Sequence, residues 1–381
     1  MRPRPPLRLL FVLGTRPEVL KLGPVVRAAR TDPAAFAVRV VSTGQHRDLL
    51  AAHLDYFGIA LDQDLHAMRP DQDLAGLVAR MVAGLDGLFA RDRPDWVVVQ
   101  GDTSTAFAAT LSAAGWGVAV AHVEAGLRTG DLAAPFPEEA NRRLIAAMAR
   151  LHCAPTPAAA DHLRAEGVAA ERIVVTGNTA LDALLHVRDA PARRGELCAP
   201  FGDLAGGRVL LVTGHRRENF GVGTQAVCAA LVEALERWPD LAVVFPLHQN
   251  PQVRDPVRSA LQRPVVAGRV VLCDPLDYPT FVALLGACWA VLTDSGGVQE
   301  EAPALGKPVL CTRDRTERPE GVAAGAVRLV GADPGRIVGA LGDLCDPRVY
   351  AAMAVPRWLY GDGRAAWRVL AALRRCGAEP G

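Results

Sequence analysis

Residues 290–301 read Ala290-Val291-Leu292-Thr293-Asp294-Ser295-Gly296-Gly297-Val298-Gln299-Glu300-Glu301. A short apolar, β-branched run passes directly into Asp-Ser-Gly-Gly, and helix-forming residues follow. The segment therefore predicts a strand, a tight turn and a helix start. The same order recurs along the chain. Apolar runs ending near Gly, Asp or Thr lie at Leu7–Leu13, 37–42, Trp96–Gln100, 118–122 and 172–176, and again at 209–213, 242–246, Val270–Cys273, Ala290–Thr293, 309–312 and 327–330. Ala/Leu/Arg-rich segments of helical character separate them. Strands alternating with helices predict parallel sheets and an α/β fold. At 381 residues the chain is long enough for two domains. The weakly patterned, charged stretch 187–207 divides it, giving Rossmann-like domains at 1–186 and 208–362. The periodic segment 364–375 predicts a last helix, within 363–381, packing back on the first domain.

Half the residues are hydrophobic and 22% are charged, which excludes a disordered chain. Lys plus Arg (42) nearly equals Asp plus Glu (41). The net charge of +1 exerts no bulk pull on nucleic acid or anionic lipid, so any bound anion must be gripped locally. The eight cysteines form no C-x-x-C pair and several lie in apolar runs such as Val270–Cys273, predicting buried thiols in a reducing, cytoplasmic setting. The opening MRPRPPLRLLFVLG has too short an apolar core for a signal peptide. Stretch 106–123, interrupted by Thr110, Ser112, Gly115 and Gly117, reads as a helix entering a strand rather than a membrane span. His and Cys spacings offer no zinc framework, so no metal is expected. The first strand leads into GTRPE (14–18) and not G-x-G-x-x-G, no tyrosine has a lysine four residues on, and Gly306-Lys307-Pro308 is not a P-loop. Hydride chemistry on a bound dinucleotide and P-loop phosphate binding both lose their support.

Ligands of open α/β sheets sit beyond the carboxyl ends of the strands, so the polar residues just after strands carry the functional reading. Gly296 and Gly297 would let a phosphate approach the free N–H groups of a helix N-terminus, with Ser295 adding a hydroxyl. Arg16, Arg318 and His215 supply positive charge from other loops, and Glu301, about one turn into the helix, suits the two hydroxyls of a ribose. The same string also reads as a plain tight turn followed by a solvated or capping acid. Asp102, Glu124 and Glu138 form a second group. Asp102 reads either as a cleft-facing acid or as the N-cap of a helix beginning near Thr103. Glu138 reads either as a reactive acid or, like Glu139, as a helix-start residue facing the dipole. Acids, a histidine and arginines gathered after strands point to acid/base chemistry beside an anion.

The ordered strings GTRPE (14–18), TGQHR (43–47), GDTST (101–105), HVEAGLRTGD (122–131), PFPEEANR (135–142), VTGNT (175–179), GHRRENFG (214–221), LHQNP (247–251), TDSGGVQEEAPALGKP (293–308) and TERPE (316–320) closely resemble the non-hydrolysing UDP-N-acetylglucosamine 2-epimerases. The likeness covers about residues 8–331. It implies two Rossmann-like domains in a GT-B arrangement with the active site in the interdomain cleft, no cofactor, a UDP-sugar substrate and a homodimer. It also implies interconversion of UDP-N-acetylglucosamine and UDP-N-acetylmannosamine by loss and return of UDP around a 2-acetamidoglucal. By resemblance, Asp102, Glu124 and Glu138 handle the proton transfers, and His215 supports or protonates the diphosphate. Arg16, Lys21, Phe281, Ser295, Gly296, Gly297, Glu301 and Arg318 match the family's UDP-binding positions. Gln45, His46, Arg216 and His248 match parts of a second, activating UDP-sugar site, although Asp48 and Asp71 depart from some members nearby; His46 and His248 also read as ordinary loop residues. The alternatives are a 2-epimerase of a modified UDP-hexosamine, a hydrolysing epimerase and a GT-B glycosyltransferase.

Overall fold

A computed structural model of the chain describes residues 5–44, 47–69, 72–189, 207–214, 221–247, 251–262 and 268–377, with the side chains of 47–49 and 252–253 left aside. The chain divides into two compact units, Met1–Leu185 with Tyr360–Gly381, and His186–Leu359. Among the described residues, the first unit holds one sheet of seven strands: β1 (Leu7–Leu13), β2 (Phe36–Ser42), β3 (Gln63–Asp64), β4 (Trp96–Gln100), β5 (Ala119–Val123), β6 (Leu151–Ala154) and β7 (Ile173–Val175). Their spatial order is β3-β2-β1-β4-β5-β6-β7, with parallel pairing throughout. β1 lies inside the sheet between β2 and β4, as suits a strand whose residues Leu9 to Leu13 are apolar on both faces and fully buried. Two of these strands escape the sequence reading. β3 is a polar dipeptide, and β6 (Leu-His-Cys-Ala) is too short and mixed to announce itself.

The second unit holds six parallel strands, β8 (Arg208–Thr213), β9 (Leu241–Pro246), β10 (Val270–Cys273), β11 (Ala290–Thr293), β12 (Val309–Cys311) and β13 (Val327–Leu329), ordered β10-β9-β8-β11-β12-β13. Each sheet therefore reverses its strand order once, between β1 and β4 in the first unit and between β8 and β11 in the second. Those two reversals are where loops splay apart and a doubly wound sheet takes its ligand. Both units are thus Rossmann-like α/β folds.

The helix Ala365–Cys376 belongs to the first unit. It buries Ala365, Ala366, Val369, Leu370, Ala372 and Leu373, lying against the helix Arg16–Arg30 and β6. Its free N-terminal amides are satisfied from far along the chain: the Asp182 carboxylate accepts from Ala365 N at 3.1 Å and Ala366 N at 2.9 Å. Seven cysteines are described and all are free thiols; Cys153, Cys228, Cys288 and Cys311 are buried, whereas Cys273, Cys345 and Cys376 are half-buried. Burial pushes the Cys153 and Cys288 thiols up to about 12. Among the described residues no helix is long and apolar enough to cross a membrane, and no cluster of three or more His, Cys, Asp or Glu could hold a metal ion.

Candidate functional site

At the strand reversal of the first unit, β1 runs into Gly14-Thr15 and the helix Arg16–Arg30, while β4 runs into Gly101-Asp102-Thr103 and the helix Ser104–Gly115. Glu18 stands between these loops and is wholly buried. Its Oε2 accepts from Gly14 N (3.0 Å), Thr15 N (2.8 Å) and the Thr15 hydroxyl (2.8 Å), and its Oε1 accepts from the Thr103 hydroxyl at 2.7 Å. Burial raises this carboxyl to about 7 against the pull of those four donors.

Asp102 is held from the helix Glu138–Met148. The Arg142 guanidinium grips Oδ2 through Nε (2.8 Å) and Nη2 (2.5 Å), and Asn141 Nδ2 donates to the Asp102 carbonyl at 2.8 Å. Buried His122 bonds the preceding carbonyl, Gly101 O, at 2.7 Å; a carbonyl only accepts, so Nε2 carries the hydrogen. Desolvation pushes His122 down to about 4 and its ladder neighbour His152 to about 3, so both are neutral at ordinary pH. The capping alternative for Asp102 is not what the structure adopts. The helix begins at Ser104, so Thr103 is the N-cap, its hydroxyl accepting from Ala106 N at 3.0 Å, while the Asp102 side chain turns toward Arg142.

Glu124 directly follows β5, the neighbour of β4, and is buried. Its backbone is left-handed (φ 63°), a conformation that costs energy for a residue with a Cβ and persists only when its surroundings hold it. They do so here. Lys21 ion-pairs with Oε2, and Gln100 Nε2 (3.2 Å) and Asn178 Nδ2 (3.1 Å) donate to the same oxygen. Four residues on, Arg128 grips Glu166 with two bonds of 2.8 and 2.6 Å, and that pairing holds the Glu166 carboxyl below the usual range. Glu138 is the first residue of the helix Glu138–Met148, half-buried, and its Oε2 meets no hydrogen-bond partner among the described residues. The next acid has a different job: Glu139 is fully buried, accepts from Thr129 N at 3.0 Å and pairs with Arg142 at 3.1 Å. Arg16 begins its helix exposed to solvent.

At the reversal of the second unit, Ser295 caps the helix Gly296–Ala304 by backbone position but makes no side-chain cap bond. Gly296 is required by a close approach: a Cβ there would stand 2.6 Å from the Arg318 guanidinium carbon. Arg318 cannot simply swing away, since it is buried and bonded to Glu300 (2.6 Å) and Glu317 (2.5 Å), with Arg313 sharing Glu317 at 2.7 Å. A cation is thus fixed against the positive end of a helix, and two buried carboxylates offset it. Glu301 is neither solvated nor a cap; it is buried and accepts from the Tyr278 hydroxyl at 2.7 Å. Phe281 packs its ring against the apolar core around Val298 and Val291.

The structure therefore gathers Lys21, Asp102 and Glu124 around the loops of one sheet, and Ser295, Gly296, Gly297, Glu301 and Arg318 around one helix end of the other. Gln45, His46, His215, Arg216 and His248 lie outside the described residues. Sequence reasoning missed the residues that hold the acids: Glu18, Gln100, His122, Asn141, Arg142 and Asn178. All but Gln100 stand inside motif strings already quoted, so the signal was present in the strings but not in any single residue's type.

The sequence model of the UDP-N-acetylglucosamine 2-epimerase family matches residues 27–374. The UDP-N-acetylglucosamine 2-epimerase of Escherichia coli K12 is 47% identical over 375 residues, covering 97% of this chain and 98% of its own. The crystal structure of the Neisseria meningitidis UDP-GlcNAc 2-epimerase bound to UDP-GlcNAc superposes with a TM-score of 0.93 at 38% identity, covering 97% of this chain and all (100%) of the other. The Methanocaldococcus jannaschii enzyme in complex with UDP-GlcNAc and UDP gives a TM-score of 0.85 at 30% identity, with 97% and 100% covered. Likeness of this extent, in sequence and in fold, means that the chain belongs to the UDP-N-acetylglucosamine 2-epimerase family.

Proposed function

We propose that this protein interconverts UDP-N-acetylglucosamine and UDP-N-acetylmannosamine by eliminating UDP and adding it back. The observation that supports this most directly is a pair of acids, Asp102 and Glu124, following neighbouring strands, each facing its own cation, Arg142 and Lys21. Glu138 adds an uncommitted carboxylate oxygen. The chemistry explains the need for several acids. The hydrogen on carbon 2 of the sugar is not next to a carbonyl, so it cannot be removed directly at a useful rate. Breaking the bond from carbon 1 to the diphosphate oxygen creates an oxocarbenium-like centre, and a carboxylate then takes the carbon 2 proton as the double bond of 2-acetamidoglucal forms. Delivery of a proton to the opposite face and return of UDP to carbon 1 complete the inversion. Acids serve the sugar in this scheme. The helix end at Gly296 and Gly297, with Arg318, serves the diphosphate, Glu301 serves the ribose, and His215 assists the leaving group.

Incubating the protein with UDP-N-acetylglucosamine in deuterated water is expected to yield UDP-N-acetylmannosamine and to place deuterium at carbon 2 of both isomers. Retention of the original hydrogen, or release of free sugar in step with UDP, would overturn the proposal. Asp102→Asn, Glu124→Gln and Glu138→Gln should each lower turnover by at least about 100-fold while the fold persists. The homodimer belongs to the same reading and is checked by light scattering at assay concentration.

A further inference from the structure

Glu18 lies in a local pattern that needs no burial. Thr15-x-x-Glu18 is a capping box, in which the third residue of the helix reaches back to the cap N–H, and that function is ordinarily served by an exposed carboxylate or by Gln. Here the carboxylate is completely enclosed, and its second oxygen spans 85 residues of sequence to bond Thr103. A helix cap gains nothing from that contact. The two loops that Glu18 joins flank the strand reversal of the first sheet. One begins the helix that presents Arg16 and Lys21; the other contains Asp102. Thr103 uses its only hydroxyl hydrogen on Glu18 while accepting from Ala106 N, so the bond also fixes where the Ser104–Gly115 helix starts.

We propose that Glu18 is a positioning residue: its buried carboxylate ties the Gly14-Thr15-Arg16 loop to the Gly101-Asp102-Thr103 loop, holding Lys21 and Asp102 in a fixed mutual register for the proton transfers. The proposal rests on the function proposed above for its kinetic consequence, but the clamp itself does not. Glu18 touches no reacting atom and acts through Thr103 and the helix start.

Substituting Gln keeps size and leaves one oxygen for the Gly14 and Thr15 amides, so the amide nitrogen must face Thr103, whose hydroxyl then loses its acceptor. In Glu18→Gln, kcat is expected to fall about 100-fold with KM within about threefold, because a misplaced acid damages the transition state more than ground-state binding. Thr103→Val should match that loss, Thr103→Ser should restore most of the activity, and the Glu18→Gln/Thr103→Val double variant should be little worse than either single change. A wild-type kcat in Glu18→Gln, or losses that multiply in the double variant, would overturn the proposal. An independent measurement is amide hydrogen exchange on the full chain, where residues 101–106 are expected to exchange at least about tenfold faster in Glu18→Gln. Unchanged exchange there overturns the clamp. If the wild-type protein fails to epimerise UDP-N-acetylglucosamine, the functional reading falls, and the exchange experiment still decides the clamp.

Discussion

Glu18 and His122 both bond the loop that carries Asp102, and burial moves them in opposite directions. For Glu18 the folded carboxyl titrates near 7 against an ordinary 4.5, so the folded chain holds that proton more tightly than the unfolded one. Stability from this group is full below 4.5 and is lost as pH rises to about 7, a change on the order of 3 kcal/mol. For His122 the folded value near 4 lies below an ordinary 6.5, so its contribution is full above 6.5 and is lost as pH falls toward 4. Urea titrations between pH 4.5 and 7.5 should therefore show the stability of wild type, relative to Glu18→Gln, decreasing with pH. Relative to His122→Phe it should increase. Parallel pH curves for wild type and Glu18→Gln would mean that the carboxyl is not desolvated as the structure has it.

At the scale of elements, each site is built on a helix start whose glycines or caps were visible as sequence, and whose partners were not. Gly296 is the clearest case. In Gly296→Ala the new methyl must displace Arg318 from Glu300 and Glu317, leaving buried charges unpaired. UDP affinity, measured by calorimetry, should drop by at least about tenfold, the loss expected for one misplaced charge-assisted bond. Full retention of UDP binding would remove Arg318 and the helix end from the diphosphate site. Gly126 plays a corresponding role for Glu124. Its φ is +90° and a Cβ would stand 2.8 Å from the Ala159 carbonyl carbon, so Gly126→Ala forces the 124–128 turn away from the helix Pro157–Ala165. That variant should lose roughly 2–4 kcal/mol in urea denaturation, a backbone clash having no flexible side chain to absorb it.

At the scale of the whole molecule, the last helix is a structural part of the first unit. Its buried stripe packs on the helix Arg16–Arg30 and β6, and the Asp182 carboxylate, 183 residues before Ala365, holds its N-terminus. Ending the chain at residue 363 should expose the helix Arg16–Arg30 and β6 and lower the melting temperature of the protein by at least about 5 °C, measured by calorimetry. An unchanged melting temperature would show that the helix is dispensable.

The sequence by itself determined the α/β class, the strand-to-loop positions where chemistry sits, and the residue types gathered there, because apolar runs, glycine turns and helix starts are local and each leaves its mark within a few residues. It also carried the family, since the motif strings are long. What only the tertiary structure decided is which partner each charged group meets. Glu18 is one letter of the GTRPE string in the chain and becomes a bridge to Thr103 in the fold; Asp102 reads either as a cleft-facing acid or as a cap and turns to Arg142; Glu301 reads either as a ribose ligand or as a solvated or capping acid and is enclosed with Tyr278. The physical reason is common to all three. The energy of a carboxylate depends on how much water it loses and which donors replace that water, and here those donors arrive from 23 to 85 residues away, a separation that no local pattern records.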